Sequence, residues 1–134
     1  MKKKLSIILG VILLLLLPAA WWVRGASLVF MATDAVQVIA QEASELYRKN
    51  PVVTREDLDQ RILVLHKAGV INLKLDEAGK PIDPFGSPFQ IRNVRLGSVS
   101  ETTVISAGPD RQFGTSDDIR YTVTETIELL DKSK

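Results

Sequence analysis

A long apolar run opens the chain and extends from Leu5 to Val23, with only Ser6, Gly10 and Pro18 departing from it. At 1.5 Å per helical residue the run is about 28 Å long, close to the hydrocarbon thickness of a bilayer. Its flanks are typical of a membrane span, with lysines before it and aromatic residues and a cation after it: Lys2, Lys3, Lys4, Trp21, Trp22 and Arg24. The pattern predicts a transmembrane anchor over residues 1–25, with a cytoplasmic N-terminus and the rest of the chain on the other side.

A cleaved secretory signal is the alternative interpretation of the same segment. Leu5 to Leu17 would be its apolar core, and Pro18, Ala19 and Ala20 would form the small-residue cleavage site. Apolar character continues through Val23, and proline is a poor residue before a cut, so the retained anchor is favoured.

Two helices are predicted beyond the anchor. Apolar residues recur there at three- and four-residue steps, which predicts an amphipathic stem helix over residues 26–49: Leu28, Ala32, Ala35, Val36, Ile39, Ala43 and Leu46. Pro51 should end it. Thr54 is a candidate N-cap for a second helix over residues 55–68, with Gly69 just past its end.

The remaining sequence predicts a small antiparallel sheet over residues 89–124. Apolar and polar residues alternate in three segments, 89–96, 102–106 and 119–124, and Gly97-Ser98 can form the turn of the first hairpin. Residues 72–82 could form a short edge strand or a loop. Residues 131–134 carry no apolar pattern and are expected to be a disordered tail.

Composition limits what this domain can be. The chain has 134 residues, and the leader leaves roughly 100 for folding, enough for one modest domain over residues 26–130. Charge is nearly balanced, with 17 Lys and Arg against 16 Asp and Glu, so it indicates neither nucleic acid nor an acidic partner. Cysteine is absent, which excludes disulfides and thiolate metal sites.

No catalytic constellation is evident in the sequence. His66 is the single histidine, and neither a nucleophile nor an orienting group accompanies it. Glu56, Asp57 and Asp59 are best explained as acidic residues near the positive end of the second helix dipole. We therefore expect a non-enzymatic protein.

A proline- and glycine-containing turn precedes the sheet at residues 83–89. Asp83 can accept hydrogen bonds from nearby backbone amides, Pro84 presets φ, and Gly86 permits positive φ. Phe85 and Phe89 can pack the turn onto the core. Taken alone, the segment is a rigid loop leading into a strand.

An acidic loop connects the last two predicted strands. Asp110, Asp117 and Asp118 lie within it, and Gly108 and Gly114 allow it to bend until side chains and carbonyls point inward. Calcium prefers such hard oxygen ligands, and the ion would remove the repulsion between the carboxylates. The spacing differs from that of an EF-hand. The alternative is a metal-free loop in which the aspartates bond to their own backbone.

Several of these segments together resemble the major pseudopilin of type II secretion systems, the GspG family. They are the amphipathic stem, the short helix ending at residues 67–71 (KAGVI), the DPFGSPFQIR stretch at 83–92 and the SAGPDRQFGTSDDI loop at 106–119. The resemblance covers about residues 26–124. It implies a pilin-like α+β fold, in which the N-terminal helix and the short second helix pack on a small antiparallel sheet with a calcium loop.

The resemblance also implies a ligand set, a location and partners. Calcium would be held by the side chains of Asp110, Asp117 and Asp118 and by the carbonyls of Ala107 and Thr115. The chain would be a single-pass protein of a bacterial inner membrane, with its domain in the periplasm or outside. Its partners would be other pseudopilins or secretion-apparatus subunits, with neither nucleic acid nor a small-molecule substrate.

The N-terminus departs from that family. Prepilin-like proteins have a basic leader ending in Gly and a Glu at the fifth mature position, whereas here Gly10 is followed by Val11 and the fifth residue is Leu15. Two functions therefore remain open. One is a pseudopilin-like subunit or accessory of a type II secretion, type IV pilus-like apparatus. The other is a solitary membrane-tethered, calcium-stabilised module that binds envelope proteins without polymerising.

Overall fold

The structure is a computed structural model that describes residues 2–127, with side chains described for Pro18 and for residues 21–127. The described chain is an α+β arrangement of two helices and two antiparallel sheets. The elements are α1 (Lys2–Lys49), α2 (Arg55–Lys67), β1 (Lys74–Leu75), β2 (Pro81–Ile82), β3 (Gln90–Leu96), β4 (Val99–Ser106) and β5 (Ile119–Thr126). The α+β prediction is thus confirmed.

The first helix, α1, is continuous through the predicted anchor and the predicted stem. It has the length and composition to cross a membrane. Its second half packs against β4 and β5, and the small and branched residues at helical spacing are the ones it buries there: Ala32, Ala35, Val36, Ile39, Ala40 and Ala43. Trp21, Trp22 and Phe30 remain exposed before that region. One helix therefore includes an exposed apolar segment around Trp21 and Trp22 and, further along, the residues that pack against the sheet.

The second helix begins at the predicted cap. The Thr54 hydroxyl accepts a hydrogen bond from the backbone N–H of Asp57 at 3.2 Å, and the Thr54 N–H donates to the Asp57 carboxylate at 2.9 Å. These two bonds form a capping box. The Thr54 hydroxyl and N–H hold the pKa of the Asp57 carboxyl below its ordinary value, because both donate to the charged form. Leu58, Ile62 and Leu65 form the buried face of α2, as their spacing predicts.

The larger sheet has the order β3-β4-β5 and is antiparallel throughout. Its first hairpin pairs Leu96 with Val99 across Gly97 and Ser98, which confirms the predicted two-residue turn. All three strands overlap the predicted segments, but β4 begins at Val99 and β5 extends to Thr126. The additional residues are mostly polar and therefore carry a weak alternation signal: Val99, Ser100 and Glu101 in β4, and Glu125 and Thr126 in β5.

Residues 72–82 form neither a strand of that sheet nor an irregular loop. They contribute β1 and β2, a separate two-stranded hairpin in which Lys74 pairs with Ile82 and Leu75 with Pro81. Asp76 closes its turn by accepting hydrogen bonds from the backbone N–H groups of Ala78 and Lys80. The predicted tail at 131–134 and residues 128–130 of the predicted domain lie outside the described residues.

One hydrophobic core joins α1, α2 and the sheet, and Phe89 and Val104 are fully or almost fully buried in it. Phe85 is also buried, so both phenylalanines of the turn pack as expected. Buried hydroxyls accompany this core. The side chain of Asn93 donates to Ser100 and Thr102 at 2.9 and 2.8 Å, whereas the hydroxyl of Ser44, on a residue only 2% exposed, has no hydrogen-bond partner among the described residues.

Candidate metal centre

The loop between β4 and β5, residues 107–118, contains all five predicted metal ligands. Its two ends are in direct contact. Gly108 has a φ of +67°, and a Cβ placed on it would lie 2.1 Å from the carbonyl oxygen of Asp117. Only glycine fits this approach, because any side chain would overlap that backbone. The glycine at position 108 therefore allows the start of the loop to lie directly against its end at Asp117.

The first part of the loop is a turn that orients Asp110 toward its own backbone. The Asp110 carboxylate accepts a hydrogen bond from the N–H of Gln112 at 2.9 Å, and the N–H of Arg111 donates to the Gly108 carbonyl at 3.1 Å. Arg111 has a φ of 59° and is the non-glycine residue with positive φ in the described chain. Asp110 is exposed. Its position matches the Asx turn of the metal-free alternative.

The second part of the loop buries the carboxylate of Asp118. The side chain is 2% exposed. Its Oδ2 accepts hydrogen bonds from the N–H of Gly114 at 2.9 Å and from Arg120 at 3.1 Å. Its Oδ1 is buried and has no partner among the described residues. A buried carboxylate oxygen without a partner is unfavourable, and a cation beside it would remove that cost.

Thr115 and Asp117 lie in the same turn as Asp118. The Thr115 hydroxyl is 3.4 Å from the Asp117 carboxylate and 3.3 Å from the Gln112 carbonyl. The Thr115 carbonyl accepts a bond from the N–H of Asp118 at 3.4 Å. Ala107 is fully buried at the start of the loop. The structure thus brings Thr115, Asp117 and Asp118 into one turn.

Side chains alone do not complete a metal site in residues 2–127. No group of three or more His, Cys, Asp or Glu side chains in this part of the chain is arranged to hold a metal ion. A cation in the loop would need main-chain carbonyls as well as carboxylates, and calcium accepts both. The residues fit calcium in two respects: Asp118 offers a buried, unpartnered oxygen, and Gly108 brings the two ends of the loop close together.

A buried network joins this loop to the turn at residues 83–89. Asp83 is fully buried, and its Oδ1 accepts hydrogen bonds from the N–H groups of Phe85 at 3.0 Å and Ser87 at 2.8 Å, as its place in the turn predicted. Its Oδ2 accepts a bond from the hydroxyl of Ser106 at 2.6 Å. That second contact was not predicted, because no local pattern connects residues 23 positions apart.

Two further side chains with shifted pKa values, Glu45 and Tyr47, lie on α1. Lys49 lowers the pKa of Glu45 by hydrogen bonding and charge, and burial raises the pKa of the Tyr47 hydroxyl. The ring of His66 lies with Nδ1 3.3 Å from the Ile71 carbonyl. This histidine lies in the last turn of α2.

Comparisons of the chain with protein-family models, with curated proteins and with solved structures find no match.

Proposed function

We propose that this chain is a membrane-anchored, calcium-stabilised structural subunit or accessory of a type II secretion apparatus, with no catalytic role. The observation that carries the proposal is the acidic loop, in which Asp118 is buried with one oxygen unpartnered. The motifs at residues 83–92 and 106–119, which resemble those of major pseudopilins, support the choice of apparatus. The continuous helix α1, long and apolar enough to cross a membrane, supports the anchor.

Calcium would act structurally in this proposal. The side chains of Asp110, Asp117 and Asp118 and the carbonyls of Ala107 and Thr115 would hold it. Its charge would compensate the buried Asp118 carboxylate, which Arg120 contacts from an exposed position. A cation that binds only the folded loop raises the stability of the whole domain by mass action, by about 2.7 kcal/mol at a hundred times its Kd.

Thermal unfolding of the full chain in detergent, with calcium and then with chelator, tests the calcium assignment. We expect a higher midpoint in calcium, and we expect Asp118→Asn to remove most of that difference. Asp76→Asn is the matched control, because Asp76 also closes a turn through backbone N–H groups but lies in the β1-β2 hairpin. Equal midpoints with calcium and chelator, together with no heat of calcium binding in calorimetry, would refute the assignment.

The location follows from the same proposal. Lys2, Lys3 and Lys4 would stay in the cytoplasm, α1 would cross the inner membrane, and the domain would lie in the periplasm or outside. Fusion of a reporter that is active only outside the cytoplasm to the C-terminus tests this orientation. Reporter activity is expected, and an inactive reporter on a stable, membrane-associated fusion would contradict it.

The second candidate is a solitary tethered module that binds envelope proteins without polymerising. The N-terminal sequence favours it, because Gly10 is followed by Val11 and Leu15 occupies the fifth position. The mature N-terminus in cells separates the candidates. Val11 would indicate prepilin-type processing and favour assembly; Met1 would indicate a retained anchor and favour the solitary module; Trp21 would indicate a cleaved signal and contradict the anchor in both.

A further inference from the structure

The buried Asp83 carboxylate lies in a different motif from the acidic loop but touches the residue that leads into it. It is held by backbone N–H groups of its own turn on Oδ1 and by the Ser106 hydroxyl on Oδ2. None of the ion pairs in the described part of the chain includes Asp83. The carboxyl group is therefore held by three hydrogen bonds, and Ser106 supplies the shortest of them, at 2.6 Å.

Ser106 connects Asp83 to the loop, because its hydroxyl contacts both Asp83 and Gly108. It is the last residue of β4 and is fully buried. Because its hydroxyl hydrogen points to Asp83, a lone pair of the same oxygen is free to accept, and the N–H of Gly108 lies 3.3 Å away. Gly108 in turn lies against the Asp117 carbonyl. The contacts thus run from Asp83 through Ser106 and Gly108 to Asp117.

We propose that Asp83 is a positioning residue for the calcium loop: its carboxylate fixes the Ser106 hydroxyl, which holds Gly108 and thereby the two ends of the loop in the spacing that calcium needs. This inference rests on the calcium binding proposed above. Asp83 is not one of the five proposed ligands, and both of its oxygens accept hydrogen bonds within the protein. The turn at 83–89 and the loop at 107–118 are on this account one functional unit.

The chemistry of each substitution predicts how the unit fails. Ser106→Ala removes both the donor to Asp83 and the acceptor for Gly108. Asp83→Asn replaces one oxygen by an NH2 group, which can only donate, so that either Ser106 or the N–H groups of the turn lose their acceptor. Outer contacts of this kind commonly change metal affinity by about 10- to 100-fold. We expect calcium Kd to rise by that factor in both variants.

Ser87→Ala is the matched control. Ser87 is buried in the same turn, but it contacts Asp83 through its backbone N–H, which alanine keeps. We therefore expect its calcium Kd to remain within about threefold of that of the unsubstituted chain, since no contact in the path to Gly108 is altered.

The test is calorimetric titration of the full chain in detergent with calcium chloride, at a temperature where circular dichroism shows each variant to be folded in chelator. A raised Kd in Ser106→Ala and Asp83→Asn, with Ser87→Ala unchanged, supports the proposal. A lowered melting midpoint in chelator with unchanged calcium Kd would overturn it, because it would show that the network supports only the fold.

Two further outcomes are distinguishable. If the unsubstituted chain binds no calcium, the proposed function fails and the positioning role fails with it. If that chain binds calcium and Ser106→Ala binds it equally well, the metal assignment stands and only the role of Asp83 is refuted. Ser106→Ala decides alone if Asp83→Asn does not fold.

Discussion

Replacing Gly108 by alanine should be among the most damaging single changes in the loop. Alanine must adopt a φ of +67°, which costs about 1–2 kcal/mol for a residue with a Cβ. The new Cβ would also lie 2.1 Å from the Asp117 carbonyl oxygen, so the two backbone segments must separate by about 1 Å. Such overpacking adds about 1–3 kcal/mol. We expect a total loss of about 2–5 kcal/mol in the free energy of unfolding.

Gly114→Ala is the control for the steric part of that loss. Gly114 lies in the same loop with a φ of +91°, but a Cβ there meets no atom within 4 Å. It should therefore show only the conformational cost, about 1–2 kcal/mol. The assay is equilibrium urea unfolding of the full chain in detergent and chelator, followed by circular dichroism, with unchanged m values. If Gly108→Ala and Gly114→Ala lower the free energy of unfolding by amounts that agree within about 0.5 kcal/mol, the close contact between Gly108 and Asp117 is refuted.

The remaining predictions concern the cap of α2 and two buried serine hydroxyls. Thr54→Ala should lower stability by about 1 kcal/mol through loss of the cap, measured by urea unfolding. Because the folded pKa of Asp57 lies below its ordinary 3.8, its contribution should be present at neutral pH and be lost as pH falls below that value; an Asp57→Asn variant with the same pH profile as the unsubstituted chain would contradict this. Ser44→Ala should raise stability by about 1 kcal/mol, since it removes a buried hydroxyl without a partner. Ser106→Ala, equally buried but fully bonded, should lower it.

Local chemistry made the helices predictable from sequence. Thr54 followed by Asp57 three residues later can satisfy two orphan N–H groups without help from the rest of the fold, and the structure contains both bonds. The buried stripe of α1 follows from the 3.6-residue period in the same way, because Ala32, Ala35 and Ile39 recur on one face. Each of these features depends on residues within one or two turns of each other.

Long-range partners could not be predicted. The turn residues around Asp83 specify a rigid loop, but the second oxygen of its carboxylate is satisfied by a serine at the end of a distant strand. The sequence does not specify the β1-β2 hairpin for a related reason. Its strands are two residues long and owe their pairing to the Asp76 turn rather than to alternation. The acidic composition of the loop is compatible with both a metal site and a metal-free turn, and only the fold shows that Asp118 is buried and Asp110 is not.

The continuity of α1 determines how the domain could respond to force. The helix has 48 residues and is about 72 Å long, and the sheet is packed directly onto its second half. The buried contacts with the sheet begin at Ala32, ten residues or about 15 Å beyond Trp22, without an intervening loop. In the proposed orientation, the domain is joined to the membrane segment by a continuous helix and not by a flexible linker. Any displacement of the proposed membrane segment along or about the helix axis would therefore reach β4, β5 and the loop between them without being absorbed by a linker.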